Sequence, residues 1–275
     1  MDVRVKPAHD DRKPITTMTL HLDSQADLDD AIHALVKLDP RLKPVLEIAG
    51  MPSLRRREPG FVGLAHIVTG QQLSTASAGA IWGRLQIAFD PFEPEAIRRA
   101  RADRLGRLGL SAAKIKTLKH VARELAAERL NLDVLANEDA DAAHNSLTGL
   151  PGIGPWTADV YLLFCLGHGD AWPAGDLAVQ EAVKVGLGLP TRPNAKQMMP
   201  IAECWRPLRG AAAHLWWSYY RAIKKREGVL GAETVPAKAN DVSNNVVVAK
   251  RPSSRDKIAA RSSPKPARTT PRSRP

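Results

Sequence analysis

The chain has 275 residues, of which 44% are hydrophobic and 25% charged, a composition typical of a globular protein with one or two domains. A membrane-spanning helix needs about 20 apolar residues in a row, and the sequence has no apolar run of that length. It also has no secretory signal and too few cysteines for a disulfide framework, so we expect a cytoplasmic protein. The formal net charge is +11, and residues 232–275 alone hold ten Lys and Arg against three Asp and Glu, which favours a polyanionic partner such as nucleic acid.

Hydrophobic periodicity predicts an all-α body over residues 18–230, between a flexible N-terminus, 1–17, and a disordered basic tail, 231–275. Ser24, Ser74 and Ser111 stand where helix N-caps are expected. In chain order, the predicted helices cover residues 25–37, 61–68, 74–85, 112–126, 157–166 and 177–185, and a long apolar stripe from Trp205 to Ile223 predicts the last one. The second of these helices is broken at Thr69-Gly70. Residues 16–22 alternate weakly and give the one hint of a strand.

The most informative segment is 147–158, which reads LTGLPGIGPWTA. Gly152 and Gly154 flank one aliphatic residue in a tight turn between two helical segments, so that a phosphate can approach the backbone. Pro155 opens the next helix, whose free N–H groups and positive dipole end face the same place. The pattern predicts a helix-hairpin-helix that contacts the DNA backbone through Gly152, Gly154 and Thr157. An ordinary interhelical loop is the alternative.

Asp176 follows the hairpin by about 20 residues, directly after Pro-Ala-Gly and before an apolar helix. Most Asp residues in this context are simple N-caps. The order of hairpin, intervening helix, turn and Asp nevertheless resembles the helix-hairpin-helix DNA glycosylase superfamily, and most closely its DNA-3-methyladenine glycosylase II branch. Segments 54–61, 67–74 and 108–114 agree with this resemblance, which covers roughly residues 42–225.

The resemblance implies that Asp176 is the catalytic carboxylate, which stabilises positive charge on the sugar while the N-glycosidic bond breaks. Members that also cleave the strand carry a lysine at the position of Trp156, so a monofunctional glycosylase is expected here. Trp156 and Trp216 would line a pocket for a cationic base. For both residues the alternative is core packing, and Trp216 in particular belongs to the apolar stripe of its own helix.

The resemblance also implies that the turn with Gln71, Gln72 and Leu73 enters the duplex where the damaged base has left. Either Gln72 or Leu73 could fill the gap, or the turn could be an exposed loop without a role. The backbone carbonyls of three hairpin residues would hold a monovalent cation, Na⁺ or K⁺, and these residues are Thr148, Leu150 and Ile153. No iron–sulfur cluster is expected, because its four cysteines are missing.

The sequence thus predicts a two-lobed, all-α enzyme with a DNA cleft between the lobes, one lobe holding the hairpin and the other the N-terminal and C-terminal helices. It would act as a nucleoid-associated monomer in base excision repair, releasing 3-methyladenine and related alkylated bases from double-stranded DNA. The alternatives are a glycosylase for deaminated or oxidised bases, a glycosylase with lyase activity, and a DNA-binding protein that uses the hairpin only as a clamp.

Overall fold

The computed structural model describes residues 19–233, which form twelve α-helices and two short 3₁₀ turns. Within this range the only β pairing is an isolated antiparallel bridge between His21 and His168, so the all-α prediction is confirmed. The expectations for the N-terminus, 1–17, and for the tail beyond residue 233 lie outside the described residues. No helix of the described range is long and apolar enough to cross a membrane.

The helices follow one another in this order: α1 (Gln25–Leu38), α2 (Lys43–Ala49), α3 (Gly60–Gly70), α4 (Thr75–Ala88), α5 (Pro94–Arg99), α6 (Ala102–Arg107), α7 (Ala112–Ala126), α8 (Ala140–Thr148), α9 (Pro155–Phe164), α10 (Leu177–Gly186), α11 (Ala195–Glu203) and α12 (Arg209–Glu233). Helix α12 continues three residues past the boundary expected at residue 230 and begins only at Arg209, after the start of its apolar stripe. Helices α2, α5, α6 and α11 have no counterpart among the predicted elements.

Local capping explains where several helices begin. The side chains of Ser24, Ser74 and Ser111 each accept a hydrogen bond from a backbone N–H in the first turn of the helix that follows. At Ser24 the carboxylate of Asp27 also accepts the backbone N–H of the cap residue, which completes a capping box. These three helix starts were all expected from the sequence, because a cap acts within one turn.

Packing divides the described helices into two groups. Helices α1, α2 and α10 pack on α12, whereas α3 to α9 pack on one another. The first group joins the N-terminal and C-terminal helices, and the second holds the hairpin, as expected for the two lobes. Aromatic side chains fill the core of the first group, where the ring of Trp205 lies 5.4 Å from that of Trp172 and 5.8 Å from that of Trp216.

A buried ion pair fixes the chain just before Asp176. The Arg209 side chain is 1% exposed, and its Nε and Nη2 atoms each donate a 2.9 Å hydrogen bond to a different oxygen of Asp170. Arg206 donates to the same carboxylate at 2.7 Å. These bonds tie the segment that carries Asp170 to the start of α12.

We expect Arg209→Met to destabilise the fold by about 3–5 kcal/mol, because it leaves the buried carboxylate of Asp170 without its main partner. Denaturant unfolding of the two proteins measures this difference. Arg99→Met is the matched control, since Arg99 is 75% exposed and paired only with Glu95 on its own helix, and it should cost less than about 1 kcal/mol. Equal losses in the two variants would contradict a structural role for the buried pair.

Candidate active site and hairpin

The hairpin between α8 and α9 is built around Gly152, whose φ of +86° lies in the left-handed region. A Cβ atom at this position would overlap with the hydroxyl of Thr117 on α7, so the turn packs against its neighbour without space for any side chain. Ile153 is buried and plugs the hairpin onto the core. Gly154 is the N-cap of α9, and the space around it is open.

The open side of the hairpin presents the N-terminus of α9. Its first turn has backbone N–H groups without intrahelical partners, and Pro155 occupies the first helical position, where a missing N–H costs nothing. Thr157, in contrast, has a buried side chain whose hydroxyl accepts a 2.9 Å hydrogen bond from Gln71 Nε2. The structure therefore leaves the backbone of this turn open to an anion but engages the Thr157 side chain within the protein.

Asp176 is the N-cap of α10, and its carboxylate accepts four hydrogen bonds. Its Oδ1 atom accepts the backbone N–H groups of Ala178 and Val179, both at 3.0 Å, and the indole N–H of Trp217 at 3.2 Å. Its Oδ2 atom accepts the indole N–H of Trp156 at 2.9 Å. Asp176 is thus an N-cap through Oδ1, and Oδ2 is the less engaged of its two oxygens.

The two tryptophans at Asp176 come from different parts of the fold. Trp156 lies in the first turn of α9 and is 42% exposed, whereas the half-buried Trp217 lies on α12. None of the four donors to the carboxylate is a lysine. The carboxylate is consequently held by dipoles alone, at the positive end of a helix, with one indole ring open to solvent.

Trp216, which the sequence placed in the pocket, is instead fully buried. Its ring packs against Trp205 and Tyr219, and Gly186 of α10 lies so close to it that a Cβ atom there would overlap with the ring. Successive residues of a helix differ by about 100° in direction, so the neighbouring Trp217 reaches the carboxylate when Trp216 faces the core. Sequence reasoning missed Trp217 because the two adjacent tryptophans differ only in helical phase.

The turn after α3 lies beside the hairpin. Gln71 is half-buried, and its Nε2 atom reaches the carbonyl oxygen of Gly152 at 3.4 Å as well as the hydroxyl of Thr157. Gln72 has a φ of +55° and is exposed, and Leu73 is 40% exposed. Gln71 thus serves as an anchor of the turn, and the two residues after it are the ones that project from the surface.

Trp156 separates two pockets. The smaller, of about 360 Å³, lies between α3, the following turn and α9, and its lining includes His66, Leu73 and Val160. His66 stacks on Trp82 with ring centroids 4.6 Å apart. Burial, together with the positive charge of Arg57 at the pocket wall, lowers the pKa of His66, which favours a neutral imidazole.

The larger pocket, of about 600 Å³, lies on the other side of Trp156, between α8, α9, the turn before Asp176 and α11. Its walls are mainly apolar, but they include the pair formed by His144 Nδ1 and Asp159 Oδ1 at 2.7 Å. The hydrogen bond to the buried Asp159 raises the pKa of His144. The pair joins α8 to α9, the two helices of the hairpin.

Three hairpin carbonyls were expected to hold a monovalent cation. The carbonyl of Leu150 accepts the backbone N–H of Ile153 at 3.0 Å. Within residues 19–233, no backbone N–H outside the helices donates to the carbonyls of Thr148 and Ile153. Two of the three oxygens therefore remain available to a cation, which fits the ligand type that Na⁺ and K⁺ take from a backbone.

The chain is similar to several known proteins. Residues 65–207 match the family model described as HhH-GPD superfamily base excision DNA repair protein. Over 222 residues the chain is 33% identical to a Mycobacterium tuberculosis protein named probable bifunctional transcriptional activator/DNA repair enzyme AlkA. That match covers 75% of this chain but 44% of the mycobacterial protein, so the chain spans less than half the length of this relative.

Two matches cover most of the protein compared. DNA-3-methyladenine glycosylase 1 of Schizosaccharomyces pombe is 30% identical over 210 residues, which is 74% of this chain and 86% of that protein. A solved structure of the S. pombe 3-methyladenine DNA glycosylase in complex with abasic DNA superposes with a TM-score of 0.60 at 28% identity. This superposition covers 68% of this chain and 95% of the solved chain.

We expect Gly152→Ala to destabilise the protein by about 1–3 kcal/mol, because alanine strains a left-handed backbone and its methyl group overlaps with Thr117. Gly154→Ala introduces the same methyl group two residues later, where φ is −88° and the space is open, and should change stability by less than about 0.5 kcal/mol. Thermal unfolding of both variants provides the test. A stable Gly152→Ala protein would show that the turn does not have this conformation.

Proposed function

The chain belongs to the HhH-GPD superfamily of base excision DNA repair proteins, and from this membership we propose that it is a monofunctional DNA glycosylase. It excises alkylated bases, 3-methyladenine among them, from double-stranded DNA and leaves an abasic site. The observation that carries the proposal is the carboxylate of Asp176, held between two indole N–H groups at the N-terminus of α10. Relatives named for 3-methyladenine support this choice of base.

Asp176 supplies the negative charge that the reaction requires. When the N-glycosidic bond breaks, positive charge develops on the sugar, and a fixed carboxylate near C1′ stabilises it. Oδ1 has three donors, whereas Oδ2 has one, so Oδ2 is the atom that faces the sugar and orients the attacking water. Because the carboxylate is already fixed by its caps, the site does not reorganise as the charge forms.

Trp156 determines that water, not a protein amine, completes the reaction. A lyase forms a Schiff base with the sugar through a lysine, and indole nitrogen has no comparable nucleophilicity. The exposed ring instead offers a face to the extruded base, and a methylated purine with positive charge gains from cation–π attraction there. Such a base is also a good leaving group, so no general acid is assigned to protonate it.

The smaller pocket beside Trp156 is the proposed base pocket. It shares Leu73 with the projecting turn, so the residue at the gap in the duplex and the pocket that accepts the base are neighbours. A neutral His66 in this pocket avoids repulsion of a cationic base. We assign contact with the DNA backbone to the open backbone N–H groups around Gly154. Gln72 and Leu73 are assigned to enter the DNA duplex.

Thr148 and Ile153 would hold a monovalent cation in the proposed enzyme through their backbone carbonyls, and Leu150 would add the second lone pair of its carbonyl oxygen. A cation bound there supplies positive charge next to a DNA phosphate and rigidifies the turn. The residues of this chain contribute the tight hairpin itself, through the left-handed Gly152 and the buried Ile153. The proposed working unit is a monomer that meets DNA from one side.

One observation favours a second substrate class. Arg57 lines the proposed base pocket and is exposed. The positive charge of its guanidinium repels a cationic base, whereas its N–H groups can donate hydrogen bonds to a carbonyl of a neutral base. Deaminated bases carry such carbonyls. A substrate panel with both 3-methyladenine and hypoxanthine therefore decides between the two preferences.

We expect Asp176→Asn to lower base release from methylated duplex DNA by about 10²- to 10³-fold or more, while DNA binding is retained. Asparagine preserves the N-cap, so the loss reports the charge. Asp30→Asn is the matched control, since Asp30 is exposed on α1. Single-turnover release of free base and a binding titration measure the two quantities.

The same assay tests the remaining alternatives. Wild-type protein that binds DNA but releases no alkylated, deaminated or oxidised base would leave only the DNA-binding clamp among the alternatives. Strand cleavage without added base or heat would show a lyase and contradict the role given to Trp156. Retention of full activity in Asp176→Asn would remove Asp176 from the mechanism.

We further propose that the basic tail adds non-specific DNA affinity. Removal of Val235–Pro275 leaves α12 complete and should make the logarithm of the binding constant depend less steeply on the logarithm of salt concentration, because fewer counterions are released. The excision rate at saturating protein should stay the same. An unchanged salt slope would show that the tail does not contact DNA.

A further inference from the structure

The turn between α3 and α4 is held by a lysine from a different helix. Lys114 on α7 donates hydrogen bonds of 2.8 Å to the carbonyl oxygens of both Thr69 and Gln71. These oxygens end α3, where helix carbonyls lack intrahelical donors, and a positive charge at this end is favoured by the helix dipole. Lys114 therefore completes the C-terminus of α3 from outside that helix.

A second contact fixes the same residue from the other side. The side chain of Gln71 donates to the hydroxyl of Thr157 at 2.9 Å and lies 3.4 Å from the carbonyl of Gly152. Gln71 is thus held through its backbone by α7 and through its side chain by the hairpin. The turn and the hairpin consequently keep a fixed distance from one another.

The residue after Gln71 needs these contacts to keep its backbone conformation. Gln72 has a φ of +55°, a conformation that residues other than glycine adopt at an energetic cost. Such strain persists only where the surroundings impose it, and it often marks a functional position. Here the imposed geometry makes Gln72 and Leu73 project from the surface next to the proposed base pocket.

We propose that Lys114 is a positioning residue for base extrusion. It holds the turn of Gln72 and Leu73 in the position relative to the hairpin from which this turn can fill the gap left by an extruded base. The inference rests on the proposed function, because a duplex-entering turn has meaning only for an enzyme that extrudes bases. It assigns no contact with DNA to Lys114 itself.

The setting of Lys114 separates this role from a simple phosphate contact. Its side chain is half-buried and donates two of its three N–H bonds to the protein, and burial lowers its pKa. Lys116, two residues further along α7, is exposed. A loss specific to Lys114 would therefore reflect the hydrogen bonds to the turn, not the charge of α7.

The test compares one lesion in two contexts. An alkylated base is placed in a fully paired duplex and in a one-nucleotide bulge, where it is already unpaired and extrusion costs less. We expect Lys114→Met to lower the single-turnover excision rate by about 10- to 100-fold in the paired duplex and by less than about threefold in the bulge. Lys116→Met, the matched control, should leave both rates unchanged.

A binding measurement makes the test independent of excision. With 2-aminopurine next to the lesion, the rise of fluorescence on unstacking should be smaller for Lys114→Met than for the wild type at saturating protein. Lys114→Arg, which can still donate to two carbonyls, should recover most of the signal. Gln71→Ala should act in the same direction, and the double variant should lose less than the sum of both because the two side chains hold one turn.

Equal losses in duplex and bulge would overturn the proposal, since a general effect on folding or on Asp176 does not depend on pairing. So would an unchanged fluorescence response of Lys114→Met. If the wild type excises the lesion in neither context, the proposed function fails, while the fluorescence comparison still decides whether Lys114 positions the turn. Thermal unfolding of each variant shows that a folded protein is being compared.

Discussion

The carboxylate of Asp176 is the point on which the rest of the site depends. It begins α10, accepts an indole N–H from α9 and accepts another from α12. Since α9 packs with the hairpin group and α12 with the terminal helices, one anion connects both halves of the described fold. Two backbone N–H groups and two indole N–H groups surround this carboxylate, and none of these four donors is a cation.

This arrangement divides the work between side chains and backbone. The chemistry is assigned to two side chains, Asp176 and Trp156, whereas contact with DNA is assigned largely to backbone groups around Gly154. Backbone contacts carry no sequence information, which suits an enzyme that must find a lesion in any context. Selectivity is assigned to the pocket beside Trp156, where the charge of Arg57 repels a cationic base and a neutral His66 does not.

The sequence was informative wherever one turn of chain decides the structure. The caps at Ser24, Ser74 and Ser111 act locally. The hairpin could be predicted because its glycines and Pro155 each favour a particular local backbone conformation. Trp217 could not be distinguished from Trp216, since the phase of α12 is set by its packing on α10 at Gly186. The short helices α2, α5, α6 and α11 offer too few residues for periodicity to show.

Lys114 illustrates the contacts that no local pattern reveals. It stands 43 residues from Gln71 in the chain, and nothing in its own segment distinguishes it from Lys116. What the fold adds is the meeting of three separate segments: the end of α3, the start of α7 and the hairpin. The strained Gln72 lies where they meet, because two anchored neighbours can impose on it a conformation that it would not adopt alone. The projecting turn is thus an extension of the hairpin, and the proposed binding of the DNA backbone at Gly154 would bring Gln72 and Leu73 to the duplex.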